Sequence, residues 1–416
     1  MKFSTALRQP TRRRLEKLEH ADILVGIPSF NNDSTIAHVI KTVEQGLAIN
    51  YPDRRCVVFV ADGGSVDDSR EESDELEASP WIERIISIYR GLPGKGSAIR
   101  SIFEAADLLQ SNACLLFDSD LRSITPDWVK CMADAILKDG MDFVAPFYNR
   151  YKYDGTITNN IVYNLTRALY GYRIRQPIGG DFALSLSMIK KYLPAQEWET
   201  DVARFGVDIW LTTLAMVNKV KLAQANLGVK IHDIKDPGET LGPMFRQVIS
   251  TMFFMMEEYE SVWKSVRGSQ PVPILGQVIP GEPKPFEVNM TKLIEEFKIG
   301  YRNYKEIWRK IIAPDNWGVI ESLMDRKENE FIFKTETWAK ILYDLAAAFH
   351  HWQGNRQLLV SLMAPLYFAR VAAFVNRTRD LSNEEAEAVV EAQAEVFEKN
   401  KDYLIKRWDL DIHYNS

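Results

Sequence analysis

The feature that most constrains this chain is a pattern that recurs along its first 120 residues. A short apolar run stops abruptly at Gly, Ser, Asn or Asp, and a helical stretch follows. Ile23 to Ile27 runs into Pro28, Ser29 and two asparagines, and Cys56 to Ala61 into Asp62-Gly63-Gly64. Arg84 to Tyr89 ends in GLPGKG, and Ala113 to Phe117 in Asp118-Ser119-Asp120. Between and after these runs, Ser34–Leu47, a charged stretch past Gly64, Ser97–Gln110 and a segment opened by Thr125-Pro126 read as helices. Apolar runs of this length are buried strands, and strand-helix alternation specifies a parallel sheet with helices on both faces. Ligands of such sheets sit beyond the carboxyl ends of the strands. All four polar loops fall on that one edge.

The alternation continues. Phe143–Phe147, Phe182–Leu186 and Lys219–Val229 read as strands, and Asn159–Tyr170 and Val207–Val217 as helices. Residues 270–286 hold five of the 18 prolines, which predicts a connector without regular structure. Beyond it the pattern is helical. Trp338, Ile341, Leu342, Leu345, Phe349 and Trp352 keep helical spacing, and Ser382 with Glu385 forms a capping box. The expected organisation is an extension (1–20), an α/β domain (21–265), the connector (266–289) and an α-helical subdomain (290–416).

Composition removes several function classes. Apolar residues make up 46% and the net charge is −6, so neither disorder nor a basic nucleic-acid surface is expected. Three separated cysteines, Cys56, Cys114 and Cys131, form neither a disulfide framework nor a cysteine zinc site. The first 20 residues lack a signal-type apolar stretch. Leu358 to Phe374 is apolar but carries Pro365 and Arg370, is shorter than a bilayer span, and reads as a buried helix. The expectation is a cytoplasmic protein without membrane or nucleic-acid partners, in which a homo-oligomer through the helical tail remains open.

Each candidate site has two readings. Asp118-Ser119-Asp120 either faces a divalent cation and a diphosphate, or is a solvated turn. GLPGKG has two residues where a P-loop has four, yet a Gly-Lys-Gly loop before a helix N-terminus still suits an anionic phosphate; otherwise it is a flexible loop. No G-x-G-x-x-G follows the first strand, so a dinucleotide fold is not expected. His232 is a structural histidine or a metal ligand with Asp120 as its partner. His350 and His351 are adjacent on a helix and point apart, so they are not paired as ligands. Gly179-Gly180-Asp181 marks either a ligand's close approach or a turn. Asp208 is either a helix-dipole charge or a grip on sugar hydroxyls.

Taken in order, IPSFNND, ADGGSVDD, PGKG, DSDL, QPIGGD, FGVD, NLGVKIH and MFRQVIST resemble the family-2-like GT-A nucleotide-sugar glycosyltransferases. Within them, QPIGGD, FGVD and NLGVKIH resemble the retaining glucosyl-3-phosphoglycerate, glucosylglycerate and mannosylglycerate synthases. The resemblance covers about residues 21–260. It implies an α/β GT-A fold, Rossmann-like in its nucleotide-sugar binding, with a C-terminal α-helical subdomain. It implies a divalent metal (Mg or Mn), a nucleotide-sugar donor (UDP- or GDP-glucose, or GDP-mannose) and a small hydroxy-acid acceptor. Pro28, Ser29, Asn32, Asp62 and Gly63 would line the nucleotide pocket, with Asp118 at the ribose. Lys95 would reach the donor phosphates, and Asp120 and His232 would hold the metal. Gly180, Asp181 and Asp208 would hold the donor sugar, so that Asp120, Asp208 and Lys95 are the expected catalytic set. Gly155, Thr156 and Thr158 would meet the acceptor. The phosphoglycerate-using members carry an Arg where this chain has Thr156 and an Asn where it has Ile234, which favours unphosphorylated glycerate. Arg150, Lys152 or Arg173 could compensate. The competing enzyme reading is an inverting polysaccharide glycosyltransferase.

Overall fold

The structure, a computed structural model, describes residues 4–77, 79–231, 241–277 and 280–410. The chain divides into two compact units. The first comprises residues 1–149, 174–234 and 272–283, the second residues 150–173, 235–271 and 284–416. The units interleave along the chain, so neither is one continuous block.

The strands among the described residues are β1 (Ile23–Ser29), β2 (Cys56–Asp62), β3 (Ile82–Ile88), β4 (Ala113–Leu116), β5 (Phe143–Asn149), β6 (Tyr172–Arg173), β7 (Phe182–Ser185), β8 (Leu222–Val229), β9 (Gln270–Pro271) and β10 (Ile274–Leu275). The first unit is built on one sheet of eight strands in the order β10-β8-β5-β7-β4-β1-β2-β3. As the alternating pattern predicts, β1 runs parallel to β2 and β4, and β2 parallel to β3. Ser29, Asp62 and Ile88 stand in register at the carboxyl edge.

The sheet is not wholly parallel. β7 pairs antiparallel with both β4 and β5, with Phe182 opposite Leu116. The reversal matters for the site. The residues just before β7 lie where β4 ends, so QPIGGD is delivered to the edge that carries DSD.

Alternation along β1 explains how the sheet is clothed. Ile23, Val25 and Ile27 bury against Ile36, Val39, Ile40 and Val43 of the helix Asp33–Asn50 and against Trp128 and Val129 of the helix Pro126–Leu137. Burying each such side chain contributes about 1.5–3 kcal/mol. On the opposite face a Cβ on Gly26 would stand 2.3 Å from Ile102, so only glycine lets the helix Lys95–Leu108 approach this closely.

The N-terminal residues belong to this unit. The Glu104 carboxylate accepts from the Thr5 hydroxyl and from the Ala6 and Leu7 amides at 2.9 and 3.3 Å. Arg90 N–H donates to the Ala6 carbonyl at 2.8 Å, Thr11 and Ser87 share a hydrogen bond of 2.7 Å, and Arg14 reaches the Arg84 carbonyl at 2.8 Å. Two of these contacts reach β3, an edge strand with unpaired backbone groups, at the Arg84 carbonyl and the Ser87 hydroxyl.

The proline-rich stretch is not free of regular structure, contrary to its composition. β10 extends the sheet beside β8, and the Gln224 amide donates to the Pro273 carbonyl at 2.8 Å. Prolines are tolerated because β10 is an edge strand, with no ladder partner needed on its outer side.

The second unit is helical, apart from the small β6–β9 pair. Residues 150–173 group with it because their buried face is matched to its helices. Arg167, 1% exposed, pairs with Glu391 at 2.6 Å and Glu398 at 2.5 Å. The Ser382–Glu385 capping box forms as read. The apolar run around Pro365 extends into a longer helix than expected, Arg356–Thr378. By length and composition it is long and apolar enough to cross a membrane, but 78% of its apolar window is buried in the protein. Pro365 on this helix packs directly on Gly300 of the helix Met290–Ile311, where a Cβ would lie 2.3 Å from the proline ring.

That contact yields a stability prediction. Gly300→Val forces the two helices apart and should lower stability by about 1–3 kcal/mol, Gly300→Ala by less. The readout is the urea midpoint of the second unit; an unchanged midpoint for the valine variant would refute the tight helix contact.

Candidate active site at the carboxyl edge of the sheet

The site is assembled from chain segments that leave the carboxyl edge of the first unit. Asp118 follows β4 by two residues, and Gly180 and Asp181 immediately precede β7. Lys230 follows β8, and Lys95 opens the helix Lys95–Leu108. Asp208 stands in the first turn of the helix Val207–Val217. The sequence separates these residues widely, and the mixed sheet brings them together.

Asp118 is the hub. Its Oδ1 pairs with Lys95 Nζ at 2.7 Å and its Oδ2 lies 3.5 Å from Lys230 Nζ. Its backbone N–H donates to Asp181 Oδ1 at 2.8 Å. Lys95 also contacts Asp208 Oδ2 and the Gly180 carbonyl, both at 3.2 Å. Lys230 reaches Asp181 Oδ2 and the Gly179 carbonyl, both at 2.9 Å, and Tyr148 donates its hydroxyl to Asp181. Three carboxylates and two ammonium groups thus form one network.

Burial sets the electrostatics. Burial alone would depress the Lys95 ammonium, but the Asp118 and Asp208 charges outweigh it and raise its pKa. Burial raises the carboxyl pKa of Asp208, opposed by Lys95 and reinforced by Asp118. Burial likewise raises that of Asp181, opposed by Lys230. Lys95 sits at a helix N-terminus, where the macrodipole disfavours a cation. Its carboxylate partners offset that cost, and the same N–H-rich end suits a phosphate.

Backbone shape enforces the arrangement at two glycine positions. Gly180 has φ +93°, and a Cβ there would lie 2.1 Å from Asp118 Oδ2. At Gly96 a Cβ would lie 1.7 Å from the Val202 carbonyl, because the PGKG loop is pressed against residues 202–204.

The structure places the remaining sequence candidates as follows. Asp120 is half-buried, and no hydrogen bond or ion pair joins its carboxylate to a described residue. His232 and Ile234 lie outside the described residues. No group of three or more His, Cys, Asp or Glu suited to a metal occurs among the described residues. Asp62 is engaged internally: it accepts from the Gly64 and Ser65 amides at 2.7 and 3.0 Å and from the Ser65 hydroxyl at 2.5 Å, shaping the turn that presents Gly63. Asn32 accepts from the Ser119 hydroxyl at 2.6 Å, tying the loop after β1 to DSD. Pro28 and Ser29 are the last residues of β1, and the buried Ser29 hydroxyl has no hydrogen-bond partner. Asp208 Oδ1 is likewise buried without a partner.

Gly155, Thr156 and Thr158 belong to the second unit. Thr156 is buried, and its hydroxyl is bonded to Tyr367 at 2.6 Å, so its side chain serves the unit's own packing. Thr158 opens a π-type turn, Thr158–Val162, and Gly155 has φ +71°. Sequence reasoning missed Tyr148 and Lys230. Lys230 was visible only as the x in a motif ending at His232; its position one residue past an apolar strand was the available signal.

Residues 24–193 match the family model described as Glycosyl transferase family 2. That match spans the α/β sheet from β1 to β7, on a fold of the expected GT-A type. No curated protein matches the sequence. Among solved structures, the chain is similar to glucosyl-3-phosphoglycerate synthase from Mycobacterium tuberculosis in complex with Mg2+ and uridine diphosphate. The identity is 26%, over 60% of this chain and 86% of that one, with a TM-score of 0.44. The same enzyme with Mn2+, UDP-glucose and phosphoglyceric acid gives 25% identity over 61% and 87%, also at TM-score 0.44.

Two outcomes follow from the network. Gly180→Ala should displace Asp118 and lower stability by about 1–3 kcal/mol, because a Cβ cannot share the space of Oδ2; the urea midpoint reads this directly. Lys95 has a raised pKa, so its ion pairs contribute stability that is fully present below its ordinary value of 10.5 and lost only at higher pH. At pH 9 Lys95 should therefore be acetylated far more slowly than the exposed lysines when mapped by peptide mass spectrometry. Labelling at the surface rate would show the pairing to be absent.

Proposed function

We propose that this chain is a metal-dependent, retaining hexosyltransferase that moves a hexose from a nucleotide-sugar to D-glycerate. The observation that carries the reading is the convergence, at one strand edge of a family 2 domain, of Lys95 at a helix N-terminus, the unpartnered Asp208 Oδ1 and the DSD carboxylates.

The residues present suit a divalent ion of the magnesium or manganese kind. Asp118 is occupied by two lysines, whereas Asp120 is half-buried and unbonded to any described residue. One or two protein ligands are what such an ion takes when substrate phosphates complete its shell. Asp120 would hold it, with His232 as the proposed second ligand. When bound, the ion neutralises charge on the departing diphosphate.

The chain's own residues do the rest. Lys95 and the amides that open its helix meet the donor phosphates. Asp208 Oδ1 accepts from a hexose hydroxyl, and Gly180, by lacking a side chain, sets the Asp118 carboxylate beside the sugar. Asn32, Ser29 and Gly63 line the nucleotide side. Asp118, Asp181 and Asp208 are each paired with a lysine and so are poor nucleophiles. That favours front-face attack, in which the acceptor hydroxyl gives its proton to the leaving phosphate and configuration is retained. The enzyme's task is then to position the reactants and exclude water.

The acceptor assignment rests on the loop around Gly155 and Thr158. Two basic residues flank it: Arg150, whose Nη1 would lie 3.3 Å from a Gly155 Cβ, and Lys152, which directs its ammonium to the carbonyls of Thr378, Arg379 and Leu381 at 2.6–2.9 Å. Arg150 lies 3.6 Å from Asp154. An unpaired buried dianion costs several kcal/mol, which favours unphosphorylated glycerate.

The test is a matrix of UDP-glucose, GDP-glucose and GDP-mannose against D-glycerate and 3-phosphoglycerate. The expected result is turnover that needs Mg2+ or Mn2+, with kcat/KM higher for glycerate. Asp120→Ala should reduce it about 100-fold or more. Preference for 3-phosphoglycerate would overturn the acceptor, and full activity in excess EDTA would overturn the metal.

A further inference from the structure

We propose that Tyr89 is a positioning residue for donor binding: its phenol anchors the Gly-Lys-Gly loop and thereby fixes where Lys95 stands. The proposal rests on the donor-phosphate role given to Lys95 above and adds a residue that no motif marks.

Tyr89 follows β3 directly. Its hydroxyl oxygen accepts the Gly94 amide at 3.0 Å. Its own amide donates to the Asp62 carbonyl at 3.3 Å, at the end of β2. A Cβ on Gly63 would lie 3.3 Å from the same hydroxyl, so the phenol is seated against the turn after β2. Tyr89 therefore joins the end of β2 to the residue immediately before Lys95.

The anchored residue is one whose conformation needs holding. Gly94 has φ +153°, and a Cβ there would stand 2.6 Å from the Ala203 carbonyl. Gly94 and Gly96, on either side of Lys95, have no side chain of their own to restrict the backbone. The Gly96 amide is fixed by the Arg204 carbonyl at 3.2 Å. The Gly94 amide is fixed by Tyr89. With one hydrogen bond on each side, Lys95 Nζ is held at 2.7 Å from Asp118 and 3.2 Å from Asp208. Without the phenol the Gly94 amide loses its partner, and that side is held only by the weaker Ala98 N–H to Gly94 carbonyl bond at 3.4 Å.

The experiment compares the parent protein with Tyr89→Phe, Lys95→Ala and the double variant. UDP and GDP are titrated calorimetrically, and amide exchange is followed over residues 91–96. Loss of one neutral hydrogen bond predicts about three- to tenfold weaker nucleotide binding for Tyr89→Phe. The melting temperature should stay within about 2 °C, and exchange over 91–96 should be faster. The double variant should bind as Lys95→Ala does, since Tyr89 acts through Lys95. Unchanged affinity in Tyr89→Phe overturns the proposal. So does an additive loss in the double variant, because the phenol would then touch the ligand itself. Failure of the parent protein to bind either nucleotide would overturn the proposed function and the donor role of Tyr89 together. The exchange comparison, which needs no ligand, would still decide the anchor: equal exchange overturns it.

Discussion

The structure of the first unit turns on one carboxylate. Asp118 is gripped by Lys95 and approached by Lys230, and the same two lysines also hold Asp208 and Asp181. Ions taken out of water are tolerable only when paired and hydrogen-bonded, and removing one partner is costlier than removing both. Asp181 is fully buried, yet it has Lys230, the Asp118 amide and the Tyr148 hydroxyl as partners. That constraint reaches outward. β7 must run against its neighbours to bring Asp181 to β4. Position 180 must lack a side chain, and the loop before Lys95 must lie against residues 202–204.

Strand order explains why these demands are compatible. β4 and β7 are neighbours near the middle of the sheet, where both faces are covered. Phe117, the residue after β4, still packs in the core, and the polar loop begins at the next position. β8 lies two places further along, and Lys230 crosses that gap: its Nζ meets the Gly179 carbonyl and stands 4.9 Å from the centroid of the Tyr148 ring. A long side chain with an apolar stem and a charged tip suits that span. Arginine there would bring a planar fork where two carboxylates and a carbonyl are already set for a compact ammonium.

The strands and helices before residue 120 were legible because apolar runs and polar breaks coincide with the ends of elements. So were the site loops, since a parallel sheet leaves them only one edge. Strand direction was not legible. Phe182–Ser185 is as apolar read backward as forward, and periodicity carries no sign. Lys230 was read past because charge after a strand is ordinary; its meaning lies in partners 49 and 112 positions away, at Asp181 and Asp118. The strand at Ile274–Leu275 was hidden by its prolines, which exclude a central strand but not an edge one. Thr156 looked like an acceptor residue in the motif, yet its hydroxyl pairs with Tyr367, more than 200 residues later, and no local pattern announces that.

The charge pairing also bears on selectivity. A lysine with two carboxylate partners offers an incoming anion less net attraction than an unpaired one, because both partners repel what the lysine attracts. Lys95 alone is therefore a weak basis for choosing a diphosphate over other anions. Under the proposed function, discrimination would fall to features with direction rather than charge: the N–H groups that open the helix at Lys95, the Asp208 Oδ1 left without a partner, and Asp120, which would hold the divalent ion. A monoanion such as a carboxylate meets the repulsion without satisfying that geometry. Under the proposed function the paired lysine would thus select by shape, and a donor that fits would gain from every element at once.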